Sequence, residues 1–183
     1  MTERVIIAGF GGQGVMTIGK LLADIAMRAG RQVAFIPSYG AEVRGGTANS
    51  SIILSDETIH YPFVDAVDTL VVMNQPSYDR FRARLAPGGL VILNSSMADT
   101  DARIEAAAPK GSVLRIAATE AANALGNLRV ANTVMLGAYA AARGGVGVDG
   151  LVEVLKTELT GTRAHLVDVN RHAFLKGQAL AKG

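Results

Sequence analysis

Apolar residues arrive along this chain in short unbroken blocks separated by polar or glycine-rich stretches. Val5-Ile6-Ile7-Ala8 is the first block, mostly β-branched, the pattern of a strand buried on both faces. It runs straight into Gly9-Phe10-Gly11-Gly12-Gln13-Gly14. From residue 15 to 29 the period lengthens: Met16, Leu21, Leu22, Ile25, Ala26 and Ala29 recur at helical spacing, with Gly30 as the stop. Val33-Ala34-Phe35-Ile36 before Pro37 predicts a second buried strand, so residues 4–36 read as a Rossmann-like β-α-β unit with parallel strands and a right-handed crossover.

Residues 37–46 carry no period and read as a glycine-bracketed polar loop. Two short runs, 50–54 and 58–61, flank Ser55-Asp56-Glu57 and predict a hairpin, hence an antiparallel element in the sheet. Further strands are expected over 69–73, 90–94 and 112–116. A helix is expected over 76–85, Pro87-Gly88-Gly89 forms a turn, and a short polar helix precedes residue 112. The last third turns Ala-rich and helical, over 119–126, 132–143, 149–160 with Asp149 as its N-cap, and 164–182. The whole predicts a single α/β domain over 1–183, a three-layer α/β/α sandwich on a mostly parallel, mixed sheet.

Composition narrows the chemistry. There is no cysteine, which excludes a disulfide framework, a thiolate-ligated iron–sulfur cluster, a Cys-type zinc site and a cysteine nucleophile from this polypeptide. Eighteen Lys and Arg against sixteen Asp and Glu leave a dispersed charge of +2, which argues against nucleic acid and anionic membranes as partners. No stretch reaches the length of a membrane span, and residues 1–4 lack the basic region of a signal peptide, so a cytoplasmic location is expected.

Two glycine clusters carry the candidate chemistry. Gly9-x-Gly11-x-x-Gly14, between a strand and a helix, fits the dinucleotide fingerprint, and its backbone N–H groups at Gly11, Gly12, Gln13 and Gly14 suit an anion. The ribose-binding acid is missing, because the second strand ends Ile36-Pro37-Ser38 and the first acid beyond is Glu42. Three readings stay open: an NAD(P) site in a stand-alone oxidoreductase, a site for another phosphate-bearing group, and a tight turn packing helix on sheet. The second cluster puts Tyr39, Glu42 and Arg44 beside Gly45 and Gly46. An Arg so placed is either a clamp for a carboxylate or phosphate, or a fork on its own chain's carbonyls. Both clusters follow strands of one β-α-β unit and are expected side by side at the carboxyl edge of the sheet. His60, His165 and His172 are scattered without acids at metal-ligand spacing, Ser95 and Ser96 form no nucleophile elbow, and Asp65 and Asp68 read as turn carboxylates. No catalytic or metal-ligating residue is assigned.

The ordered set of motifs resembles the γ subunit, or fused γ domain, of the 2-oxoacid:ferredoxin oxidoreductases, the pyruvate, 2-oxoglutarate, ketoisovalerate and indolepyruvate enzymes. The matching residues are Gly9-Phe10-Gly11-Gly12-Gln13-Gly14-Val15 and Tyr39-Gly40-Ala41-Glu42-Val43-Arg44-Gly45-Gly46. After them come Ser55-Asp56, Asp68-Thr69-Leu70-Val71, Pro87-Gly88-Gly89, Gly126-Asn127 and Asn132-Thr133-Val134-Met135-Leu136-Gly137-Ala138. Ala41 departs from the family's usual proline and loosens the loop. The resemblance implies oxidative decarboxylation of a 2-oxoacid with CoA to acyl-CoA, CO2 and reduced ferredoxin. It also implies that thiamine diphosphate, Mg2+ and iron–sulfur clusters reside on α, β and δ partner subunits. This chain is then an assembly subunit that binds no cofactor itself, reaches ferredoxin through the complex, and contacts its partners or CoA through the two glycine clusters.

Overall fold

The computed structural model describes residues 1–38, 47–98 and 113–183. Six strands form one sheet: β1 (Thr2–Phe10), β2 (Gln32–Ser38), β3 (Thr47–Ser55), β4 (Val67–Val72), β5 (Leu85–Asn94) and β6 (Val113–Ile116), in the order β2-β3-β1-β4-β5-β6. Strands β1, β4, β5 and β6 run parallel, while β3 is antiparallel to both its neighbours, β1 and β2. The sheet is mixed, as expected. Among the described residues six α-helices accompany it: α1 (Val15–Arg28), α2 (Gln75–Phe81), α3 (Ala118–Ala124), α4 (Ala131–Arg143), α5 (Val148–Glu158) and α6 (Leu166–Leu180). No helix among the described residues is long and apolar enough to cross a membrane.

The unbroken apolar block of β1 has the cause inferred for it. Val5 and Ile7 face one side, against Ile18, Leu22 and Ile25 of α1 and the α4–α6 helices; Ile6 and Ala8 face the other, against Tyr78 and Phe81 of α2. With both faces covered there is no polar side to alternate with. Each fully buried side chain of this size contributes roughly 1.5–3 kcal/mol.

Four local expectations change. Strands β1 and β2 share a direction, but β3 lies between them, so the first β-α-β unit is split rather than paired. The hairpin does not form: Ile52 of β3 pairs with Val5 on one side and Phe35 on the other, leaving no edge for residues 58–61, which are not a strand. Pro87-Gly88-Gly89 lies inside β5, where the register against β4 jumps between Val67↔Leu85 and Thr69↔Leu90; Gly88, at φ 76°, takes up the irregularity. Asp149 does not cap its helix. Gly147 does, in extended conformation, and Asp149 sits in the first turn, where its charge still opposes the positive end of the helix dipole. The polar helix expected before residue 112 lies outside the described residues.

Two features hold the layers in register. Helices α4 and α6 cross at glycines: a β-carbon on Gly137 would lie 2.0 Å from the Phe174 carbonyl oxygen, and one on Gly177 would lie 1.9 Å from that of Val134. At the amino edge of the sheet, Glu3 is 5% exposed and its carboxylate is shared. Tyr139 donates to Oε2 and Thr69 to Oε1, both at 2.8 Å, while the Arg143 guanidinium, 3.5 Å from Oε1, donates to the Thr69 hydroxyl and to the Asp68 carbonyl. A buried carboxylate is tolerated only with such partners. Burial, with the neighbouring Glu3 charge, pushes the Tyr139 phenol well above its ordinary range.

Removing Glu3 strands two hydroxyl donors, Tyr139 and Thr69, and takes the counter-charge from Arg143, so Glu3→Ala is expected to cost about 3 kcal/mol in denaturant unfolding, and Tyr139→Phe about 1.5 kcal/mol. In the unfolded chain Tyr139 ionises near its ordinary pKa of about 10. Its contribution is therefore whole below that pH and declines above it, and the decline should be absent from the phenylalanine variant.

Candidate functional site

The carboxyl ends of β1, β4, β5 and β6 meet at one edge, and the β1–α1 turn stands at its centre. Gly12 and Gly14 take positive φ, 92° and 74°, which side chains other than glycine rarely adopt. Gly14 is the N-cap of α1, where a β-carbon would lie 2.1 Å from Asn132 Nδ2; at Gly9 one would meet Gln13, Val15 and Met73 at 2.8–2.9 Å. At Gly12 there is open space. The turn thus needs glycine at 9 and 14 because other atoms are close, and at 12 because of the backbone alone.

The turn's one polar side chain, Gln13, points into the protein. Its Oε1 accepts from the Phe10 N–H at 2.7 Å and from Asn74 Nδ2 at 2.6 Å, and its amide nitrogen donates to Met97 Sδ at 3.3 Å. Asn74, at the end of β4, accepts from the Ser77 N–H and caps α2. Asn94, at the end of β5 and fully buried, donates to the Met73 carbonyl and Thr119 hydroxyl, and its oxygen accepts from the Ala118 and Thr119 N–H groups, capping α3 from a distance. A second chain of bonds runs toward α6. Asn132 donates to the Gly14 carbonyl at 3.3 Å and accepts from the Thr133 N–H, while the Thr133 hydroxyl bonds Asn170 Oδ1 at 2.6 Å. These amides are structural rivets, each using donors and acceptors that a ligand would otherwise find.

What remains open is cleft space. One cleft of about 320 Å³ lies between Gly12, Gln13, Met97, Leu128, Arg129 and Asn132; another of about 340 Å³ lies across Gly12, beside Phe10, Met16 and Thr17. A third, about 510 Å³, runs behind Gly14 between α1, α4 and α6, with Arg129, Thr133 and Asn170 on its walls.

Of the residues singled out in the sequence, Gly11, Gly12, Gln13 and Gly14 are at this edge, with Gln13 turned inward. Tyr39, Glu42, Arg44, Gly45 and Gly46 lie outside the described residues. The flanks of that segment are placed: Ser38 pairs with Asn49, and Thr47 with Phe10 at the start of the turn. The dinucleotide arrangement does not form. It needs the ribose-binding acid on the strand beside β1, whereas here β3 intervenes and β2 ends in Ser38, roughly 10 Å from β1.

Several of the remaining candidates make local contacts. His165 bonds the Thr162 carbonyl and His172 is 3.9 Å from Asp168 on the surface. Ser96 accepts from the Glu120 N–H, and Asp68 accepts from the Arg4 N–H. Among the described residues no three His, Asp or Glu side chains could together hold a metal ion. Asn74, Asn94, Asn132 and Arg129 escaped the sequence reading as site residues; Asn132 lay within a quoted motif, but nothing in the pattern told of its contact with Gly14 across the fold.

An open α/β sheet with a glycine turn at its carboxyl edge and helices on both faces is a fold of the doubly wound type. The chain belongs to the pyruvate ferredoxin/flavodoxin oxidoreductase family, whose model matches residues 4–180. It is 37% identical over 183 residues to the ketoisovalerate oxidoreductase subunit VorA of Methanothermobacter thermautotrophicus, covering 98% of this chain but 36% of that protein. It is 32% identical over 186 residues to the 2-oxoglutarate synthase subunit KorC of Methanocaldococcus jannaschii, covering 100% of this chain and 95% of that one. Among solved structures it resembles the γ subunit of a keto/oxoacid ferredoxin oxidoreductase from Geobacter sulfurreducens, with TM-score 0.78, 29% identity and 98% of both chains covered. It also resembles the 2-oxoglutarate:ferredoxin oxidoreductase of Magnetococcus marinus, a structure with 2-oxoglutarate, coenzyme A and succinyl-CoA bound. There the TM-score is 0.87 at 26% identity, over 99% of this chain and 31% of that one. The chain therefore spans about a third of the length of some relatives and nearly all of others.

The geometry separates two kinds of glycine. Gly14→Ala is expected to cost about 1 kcal/mol more than Gly12→Ala, because both incur backbone strain but only the first displaces Asn132 from the Gly14 carbonyl. In an Asn132→Ala background that difference should vanish, which thermal unfolding of the three single variants and the two double variants carrying Asn132→Ala measures as a coupling energy.

Proposed function

We propose that this chain is the γ-type subunit of a 2-oxoacid:ferredoxin oxidoreductase. In that reaction a 2-oxoacid and CoA give an acyl-CoA and CO2, and the two electrons released pass to two ferredoxins. The observation that carries this reading is the likeness over whole chains, and not a motif, to stand-alone γ and KorC subunits.

The residues agree with the division of labour that the reading requires. Thiamine diphosphate supplies the carbanion chemistry when bound in such an enzyme. It and its Mg2+ are assigned to α and β subunits, and iron–sulfur clusters to β and δ. A chain with no cysteine cannot ligate a cluster through thiolates. This chain contributes shape. Gln13, Asn74 and Asn132 hold the glycine turn in one conformation, and the turn's exposed face at Gly11 and Gly12 lies where a partner subunit or an approaching CoA meets it. The loop bearing Tyr39, Glu42, Arg44, Gly45 and Gly46 is proposed to contribute to the same contact, since both its flanks join the sheet beside the turn. The location proposed is the cytoplasm, where ferredoxin is available.

The isolated chain is expected to show no 2-oxoacid-dependent ferredoxin reduction and no NADH or NADPH binding at micromolar concentration. Expressed at native level, it should purify with larger chains containing thiamine diphosphate and iron. Ferredoxin reduction by the chain alone, or tight nicotinamide binding measured by fluorescence titration, would count against the assignment.

A further inference from the structure

Exposed apolar side chains gather at the turn. Of seven large hydrophobic residues exposed among the described residues, Phe10 (36%), Met97 (44%) and Leu128 (58%) border the two clefts on either side of Gly12. The neighbouring cation is unspent. Arg129 faces Gly12 and Asn132 across the first cleft, and its guanidinium has neither an ion pair nor a hydrogen bond among the described residues; only its backbone N–H is used, by Asn127. The amides around it are committed to internal bonds, so the chemistry the described residues of this edge offer outward is apolar surface and the charge of Arg129.

From this we infer that the Phe10–Met97–Leu128 rim, with Arg129, is the surface on which the thiamine-binding partner of the proposed oxidoreductase docks. The inference deepens that reading and rests on it. The occupant is a protein segment that straddles the turn, placing apolar side chains in both clefts and a carboxylate on Arg129. Two separated clefts with a backbone ridge between them fit a segment lying across the ridge better than one compact ligand. A guanidinium covered at an interface also needs an anionic partner. In relatives where this fold is about a third of the chain, other protein necessarily accompanies it. The remaining aromatic exposure differs in kind: Tyr61 and Phe63 pack on each other, ring centres 5.4 Å apart, and do not line these clefts.

The test is co-expression of the whole oxidoreductase with Arg129→Glu, Leu128→Ser or, as a control, Tyr61→Ser in this chain. Assembly is read by native mass and by thiamine content per copy of the chain. Arg129→Glu and Leu128→Ser are each expected to lower the assembled fraction about tenfold, with the isolated chain's Tm within about 3 °C of wild type, while Tyr61→Ser assembles normally. Normal assembly of both rim variants would overturn the docking surface and leave the proposed function standing. So would normal assembly with a tenfold rise in the KM for coenzyme A, which would make Arg129 a small-anion contact. A wild-type chain that never assembles with a thiamine-containing partner would overturn both.

Discussion

Between β1 and α1 the backbone passes closer to its surroundings than a β-carbon allows, and the rest of the edge is arranged around that approach. Gly9 lets Gln13 fold back onto the Phe10 N–H; Gly14, in left-handed conformation, admits the Asn132 amide against its own carbonyl. Once Gln13 is folded back it reaches Asn74, and through it the start of α2; once Asn132 is in place it reaches Thr133 and Asn170, and through them α6. Helices on both faces of the sheet are thus referred to one turn. This is why the turn is glycine-rich even though the strand beside β1 carries no ribose-binding acid: close packing demands what the fingerprint displays.

The two edges of the sheet divide the work. At the amino edge a buried carboxylate gathers Tyr139, Thr69 and, through Thr69, Arg143, fastening β1, β4 and α4 with strong charge-assisted bonds. At the carboxyl edge the bonding groups are neutral amides, consumed among themselves, and no buried charge is held there by Gln13, Asn74 or Asn94. An edge so satisfied does not need a ligand for stability, and among the described residues it leaves apolar rims and the Arg129 guanidinium facing outward. That pattern agrees with the function proposed above, in which the reactive groups are carried by other chains.

Much of this was readable from the chain. The β1 block, the α1 period, the mixed sheet and the Ala-rich helical third follow from local patterns that tertiary packing reinforces. The split β-α-β unit was not readable, because Ile52–Leu54 is equally apolar whether its neighbours are β1 and β2 or a hairpin partner; only the pairing decides. Glu3 carried no sign in the sequence of its buried role, since nothing local announces Tyr139 and Arg143 more than a hundred residues away. Gln13 was legible as part of a turn but not as facing inward, a direction set by the absent β-carbon at Gly9 and by Asn74. Gly137 and Gly177 sit inside helices, where their spacing gave no sign of the crossing that requires them.

The most direct test of the central claim is amide hydrogen exchange compared between the isolated chain and the assembled oxidoreductase. The expected result is that residues 10–15 and 127–132 gain protection on assembly while residues 56–66 and the Glu3–Tyr139 edge exchange as before. Protection gained at residues 56–66 or at the amino edge, with the glycine turn unchanged, would contradict it.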